Sequence, residues 1–183
     1  MANYKKEFLS IPNILSYVRI LLIPFIVHFY LYEENYTVAA IIAAISGFTD
    51  LFDGFIARRF NMITEFGKFI DPVADKLTQC TLILCLLSRY NSMWFLVVIF
   101  FVKEITMGLA GLFSVYRNNK KLDGAKWFGK VSTVIQFVSM TALFAFKDMP
   151  TLMVTFLIIL CAAFMIMAFV LYIIEYIKLN SSK

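Results

Sequence analysis

Four aspartates stand close together in an otherwise apolar chain, Asp50 and Asp53 as one pair and Asp71 and Asp75 as another. The first pair is spaced i,i+3 and the second i,i+4, so each pair shares one face of a helix. Carboxylates gathered in this way repel one another unless cations sit among them. Aspartate oxygens are hard ligands of the kind Mg²⁺ prefers, and two divalent cations would roughly neutralise four carboxylates. Such an arrangement can polarise a phosphate and stabilise an oxygen leaving group. The neighbouring residues suit that chemistry. Gly54 follows Asp53 and removes a side chain where a ligand could approach the backbone. Ala57 is small at the next turn, Arg58 can grip phosphate oxygens with its planar fork, and Gly67 lies one turn before Asp71. The bland alternative is a solvated loop between membrane helices, and it accounts for any one aspartate better than for all of these positions together.

The pattern D-x2-D-G-x2-A-R-x8-G-x3-D-x3-D is filled without a gap by Asp50, Asp53, Gly54, Ala57, Arg58, Gly67, Asp71 and Asp75. It resembles the signature of the CDP-alcohol phosphatidyltransferases, integral membrane enzymes of phospholipid synthesis. The resemblance implies the fold of that family, two bound divalent cations (Mg²⁺, with Mn²⁺ as the alternative), and transfer of a phosphatidyl group from CDP-diacylglycerol to an alcohol with release of CMP. It assigns Asp50, Asp53, Asp71 and Asp75 to the metals and Asp75 also to the base that takes the acceptor's proton. Spacing alone does not separate ligand from base. Gly54, Ala57, Arg58 and Gly67 would border the nucleotide and its phosphates, together with Asp50. An opening of the form P-N-x-x-[ST]-x-x-R is common in the family, and Pro12, Asn13, Ser16 and Arg19 fit it. Asn13 and Arg19 are therefore expected near the CDP moiety. For Arg19 the alternative is simple snorkelling to the interface.

The elements that must position these residues are membrane helices. The 183-residue chain is 61% hydrophobic with 20 Phe, whereas a soluble domain is nearer half apolar. A single membrane domain over residues 1–183 follows. The net charge of +5 reads as basic loops that orient the chain and meet anionic lipid, not as a nucleic-acid surface. Cys80, Cys85 and Cys161 fall in apolar runs and read as small core residues. The start of the chain has two lysines but no small-residue cleavage site after a short apolar core, so no cleaved signal peptide is expected.

Residues 1–12 are expected to form an interfacial segment, and six transmembrane helices to cover about 13–32, 36–58, 66–89, 93–116, 127–146 and 150–177. Pro24 falls inside the first and Pro72 near the start of the third, where a proline is tolerated in the first turn. The fold class is thus an all-α integral membrane protein with the acidic motif at one membrane face. Loops on that side hold Lys5, Lys6, Arg58, Arg59, Lys68, Arg117, Lys120, Lys121, Lys126, Lys130, Lys178 and Lys183, and the opposite side holds Arg89 and Lys147. The positive-inside rule places both termini and the active site in the cytosol, at the cell membrane.

The acceptor is read from the remaining cations, Lys103 in the fourth helix and Lys126 and Lys130 at the start of the fifth. The segment GAKWFGKVSTVIQ resembles the same stretch in family members that use glycerol 3-phosphate and in those that use phosphatidylglycerol. Users of glycerol 3-phosphate typically show Arg-Glu in the fourth helix and an arginine two turns on. Here those positions are Lys103, Glu104 and Gly111. Glycerol 3-phosphate is the first expectation and phosphatidylglycerol, a cardiolipin-forming reaction, the second. Lys103–Glu104 could instead be a structural intramembrane ion pair. The resemblance also implies a homodimer. A cation transporter is the reading from another class, but such sites usually lie near the bilayer midplane between related halves, and no repeated half is present.

Overall fold

The computed structural model describes residues 10–60, 64, 66–118 and 126–181, and the side chains of residues 51, 53–58, 68, 111–118 and 179–181 lie outside the described part. Six helices make up the described chain, with no strand among the described residues. They are α1 (Ile11–Val27, running on through a π-helical turn His28–Tyr32), α2 (Tyr36–Arg59), α3 (Gly67–Leu87), α4 (Met93–Asn118), α5 (Trp127–Ala145) and α6 (Thr151–Ser181). The expected boundaries lie within four residues of these. Of the interfacial segment, residues 1–9 are outside the described residues, and Ile11 and Pro12 belong to α1 itself.

Local chemistry explains the helix ends. Pro12 stands in the first turn of α1, where its missing N–H costs nothing. Pro24 lies inside α1, and the widened π turn that follows re-pairs the backbone, the Glu33 N–H donating to the His28 carbonyl at 3.2 Å. Glu34 turns the chain with φ of 50°, and Asn35 caps α2 by accepting the Val38 N–H at 3.2 Å. Thr64 accepts the Gly67 N–H at 2.9 Å and so serves the first turn of α3. Pro72 lies inside α3, past the first-turn position expected for it.

The chain divides into two compact units. The first holds residues up to Arg89 together with Thr141–Asp148. In it α1 packs on both α2 and α3. Ala39, Ala43 and Ser46 are fully buried on one stripe of α2, and such small residues let helix backbones approach closely. At the far end of this unit Tyr30 packs against the tilted Phe144 ring at 4.3 Å and meets Tyr36 edge-on at 5.0 Å. Arg89 and Lys147, the two bases expected on the side away from the motif, both lie over the Tyr36 ring, at 5.1 and 5.6 Å.

The second unit holds Tyr90–Met140 and Met149–Lys183. Its main packing is between α4 and α6, and Leu96 and Phe100 of α4 and Cys161 and Met165 of α6 are buried. In α5, Phe128 meets the Tyr172 ring edge-on at 4.7 Å. A Cβ on Gly129 would stand 3.0 Å from two carbons of that ring, so a side chain there would require the ring to shift.

Among the described residues, α1 with its π turn, Met93–Ala110, α5 and Thr151–Lys178 are long and apolar enough to cross a membrane, while the apolar part of α2, Tyr36–Asp50, is shorter. Large apolar side chains such as Leu21, Phe25, Ile45, Phe95 and Phe156 face outward. Outward apolar faces on helices of this length belong in lipid, and the chain is a multi-pass membrane protein.

Candidate active site

The acidic site is built on α1. Asn13, Ser16 and Arg19 recur at three-residue spacing, which keeps them on one face over two turns. All three are buried, at 1%, 0% and 1% exposure. Polar groups inside a bundle must find polar partners, and each of these finds one on the motif-bearing chain.

Arg19 reaches two helices at once. Its Nη2 lies 3.1 Å from Asp50 Oδ1 on α2, and its Nη1 is paired with Asp75 Oδ1 on α3. A guanidinium taken out of water carries a penalty of several kcal/mol, which a pair of carboxylates offsets. The two aspartates themselves stay partly open to solvent, their side chains 39% and 31% exposed. One turn earlier, the Ser16 hydroxyl donates to Asp71 Oδ1 and also lies 3.2 Å from the Pro12 carbonyl. At the next step, Asn13 Nδ2 donates to Thr64 Oγ1 at 3.1 Å.

Gly67 completes this corner. A Cβ there would fall 2.6 Å from Asn13 Oδ1 and 2.8 Å from Thr64 Oγ1. Within the chain, then, the neighbours that forbid a side chain at Gly67 are Asn13 and Thr64, and the glycine lets the start of α3 close onto α1.

The structure therefore brings Asp50, Asp71, Asp75, Asn13, Arg19 and Gly67 to one corner of the first unit. Asp53, Gly54, Ala57 and Arg58 lie on the last turns of α2, but their side chains are outside the described part. Sequence reasoning left Ser16 out of the site residues and missed Thr64. The spacing of Ser16 midway between Asn13 and Arg19 was the available signal, whereas nothing in the sequence marks Thr64.

The fit to divalent cations rests on the donor set. Asp50 and Asp75 arrive from different helices and converge closely enough to share one guanidinium, and a site that accommodates a cation between carboxylate oxygens suits hard metal ions. Among the described residues no group of three His, Cys, Asp or Glu side chains is close enough to hold an ion. Asp53, the fourth carboxylate of the motif, is not among those described.

The acceptor candidates lie in the second unit. Lys103 is buried in α4, with its Nζ 2.9 Å from Glu104 Oε1. Lys126 Nζ is 4.0 Å from Glu175 Oε2 on α6, and Lys130 is exposed. Glu175 and Gly129 belong to this constellation and were not anticipated; both depend on which turn of α6 meets α5.

The CDP-alcohol phosphatidyltransferase family model matches residues 9–174. The CDP-diacylglycerol–glycerol-3-phosphate 3-phosphatidyltransferase of Salmonella typhimurium (strain LT2) is 36% identical over 135 residues, covering 72% of this chain and 74% of the relative. The protein of the same description from Escherichia coli (strain K12) is 33% identical over the same length and coverage.

Proposed function

The chain belongs to the CDP-alcohol phosphatidyltransferase family, and from that membership we propose that it transfers the phosphatidyl group of CDP-diacylglycerol to glycerol 3-phosphate, forming phosphatidylglycerophosphate and CMP. Membership makes it a membrane transferase of phospholipid biosynthesis, in a family that generally uses divalent metal ions. The observation that carries the reading is the convergence of Asp50 and Asp75 from two helices within the full eight-position motif. The names of the relatives support glycerol 3-phosphate as acceptor. The family match runs through both units, which supports one membrane domain. The distribution of Lys and Arg supports six spans with both termini and the motif in the cytosol. We also read the protein as a homodimer, on family resemblance.

Asp50, Asp53, Asp71 and Asp75 would hold two divalent cations, Mg²⁺ by preference. When bound, these ions supply positive charge against the pyrophosphate and the departing CMP. Arg58 is assigned to the phosphate oxygens, which a guanidinium fork suits, and Gly54 and Ala57 to the nucleotide. The acceptor hydroxyl attacks the β-phosphorus of CDP-diacylglycerol. A new P–O bond forms, the bond to CMP breaks, and Asp75 takes the hydroxyl proton. Lys103, Lys126 and Lys130 are the cations assigned to the acceptor's phosphate.

The test is CMP release by purified protein with Mg²⁺ and CDP-diacylglycerol, offering glycerol 3-phosphate and phosphatidylglycerol separately. Turnover with glycerol 3-phosphate, reduced about 10²- to 10⁴-fold in Asp75→Asn, is expected. Turnover with phosphatidylglycerol alone would make the enzyme cardiolipin-forming, with Gly111 in place of an arginine as the relevant difference. No CMP with either acceptor would refute the proposal.

A further inference from the structure

Helix α1 carries none of the acidic motif, yet its buried side chains pair with three of the motif aspartates. We infer that Arg19 and Ser16 are positioning residues, which brace the aspartates from inside the bundle and do not themselves touch the substrate phosphates. This rests on the proposed function and concerns how its carboxylates are held.

Two observations carry the inference. The first is burial. Arg19 is 1% exposed and Ser16 fully buried, while the side chains of Asp50 and Asp75 are 39% and 31% exposed. The arginine thus lies behind the carboxylates, which stand between it and solvent. A residue whose work was to grip an incoming pyrophosphate would present its fork on the open side. The second is geometry. Arg19 uses separate nitrogens for separate helices, Nη2 for Asp50 and Nη1 for Asp75. A planar fork of fixed shape then sets the spacing of those two carboxylates. Ser16 fixes Asp71 through Oδ1 one turn away. Three of the four motif aspartates are oriented by two side chains of a single helix face.

Bracing and simple counter-charge predict opposite signs. Removing a nearby positive charge strengthens cation binding by electrostatics alone. Removing a brace weakens it, because the ligands must then be ordered by the metal itself. The experiment is Mn²⁺ binding to purified full-length protein, followed by electron paramagnetic resonance, with steady-state CMP release alongside. Arg19→Gln is expected to bind Mn²⁺ about 10- to 100-fold more weakly, and Arg19→Lys to recover part of that loss. At saturating metal, kcat falls while the KM for CDP-diacylglycerol stays within about threefold, since the lost interaction acts through the carboxylates.

Ser16→Ala removes one small hydroxyl, so it is the variant to rely on if Arg19→Gln does not fold. It is expected to weaken Mn²⁺ binding several-fold with an unchanged KM. Unaltered or tighter Mn²⁺ binding in the folded variants overturns the inference. So does a KM that rises tenfold or more at saturating metal, because it would place Arg19 on the phosphates. Wild-type protein that binds no Mn²⁺ and releases no CMP overturns the parent reading instead, before any variant is compared.

Discussion

Replacing Gly67 by alanine separates two explanations for that residue. The added Cβ would stand 2.6 Å from Asn13 Oδ1 and 2.8 Å from Thr64 Oγ1, well inside any ordinary carbon–oxygen contact. Neither neighbour is a loose side-chain end. Asn13 is buried, and the two exchange hydrogen bonds, Asn13 to Thr64 at 3.1 Å and Thr64 to Asn13 at 3.3 Å. Thr64 also takes the Gly67 N–H at 2.9 Å. One methyl therefore forces apart a closed three-residue contact. Overpacking of this kind costs about 1–3 kcal/mol, or roughly 2–12 °C in Tm for a chain of this size. The displaced element is the start of α3, which carries Asp71 and Asp75 four and eight residues on. A shift of about 1 Å in catalytic groups costs on the order of 10²-fold in rate. Gly67→Ala should thus lower Tm in detergent and lower kcat for CMP release together. Asn13→Ala combined with Gly67→Ala should recover part of the Tm loss, since the nearest collision partner is gone. If instead Tm and kcat hold while the KM for CDP-diacylglycerol rises, the space left open at Gly67 serves the nucleotide and the packing argument fails.

Two further perturbations probe the second unit. Lys103→Met removes the cation 2.9 Å from Glu104 Oε1 in a buried setting, and should destabilise by about 3–5 kcal/mol. Thermal unfolding of Lys103→Met/Glu104→Met should return most of that loss, and a double variant as unstable as the single one would show that the pair is not the cause. Gly129→Ala places a Cβ against the Tyr172 ring, 3.0 Å from two of its carbons, and should lower Tm by an amount in the same 1–3 kcal/mol range. Tyr172→Phe in the same chain should relieve it, because the hydroxyl is the nearest atom to the added methyl.

The helices were legible in the sequence because bilayer length and apolar runs leave few choices. Runs near twenty apolar residues, broken at Glu33–Asn35, Arg89–Asn91 and Lys147–Pro150, fix ends to within a turn. The motif was legible for a different reason: its residues are polar where polarity is expensive, so their spacing stands out against the background. Both kinds of signal are local along the chain.

Pairing across helices is not local, and the sequence does not specify it. Arg19 stood out because a charge two turns into a membrane helix needs a reason, and its family pattern pointed to the CDP moiety. The sequence did not show its partners within the chain, two carboxylates 31 and 56 residues further on. Gly67 shows the same limit. Its smallness was visible, but what it makes room for depends on which residue of α1 lies opposite, and Asn13 is that residue. A polar residue inside a membrane helix announces that it has a partner without naming it. The partner follows only once the rotation of one helix about another is known. For α1 that rotation is set by Asn13, Ser16 and Arg19 together: a face whose three polar groups are all buried can satisfy them only against the acidic corner. The helix that carries none of the motif is accordingly the one whose orientation determines how three of its aspartates are held.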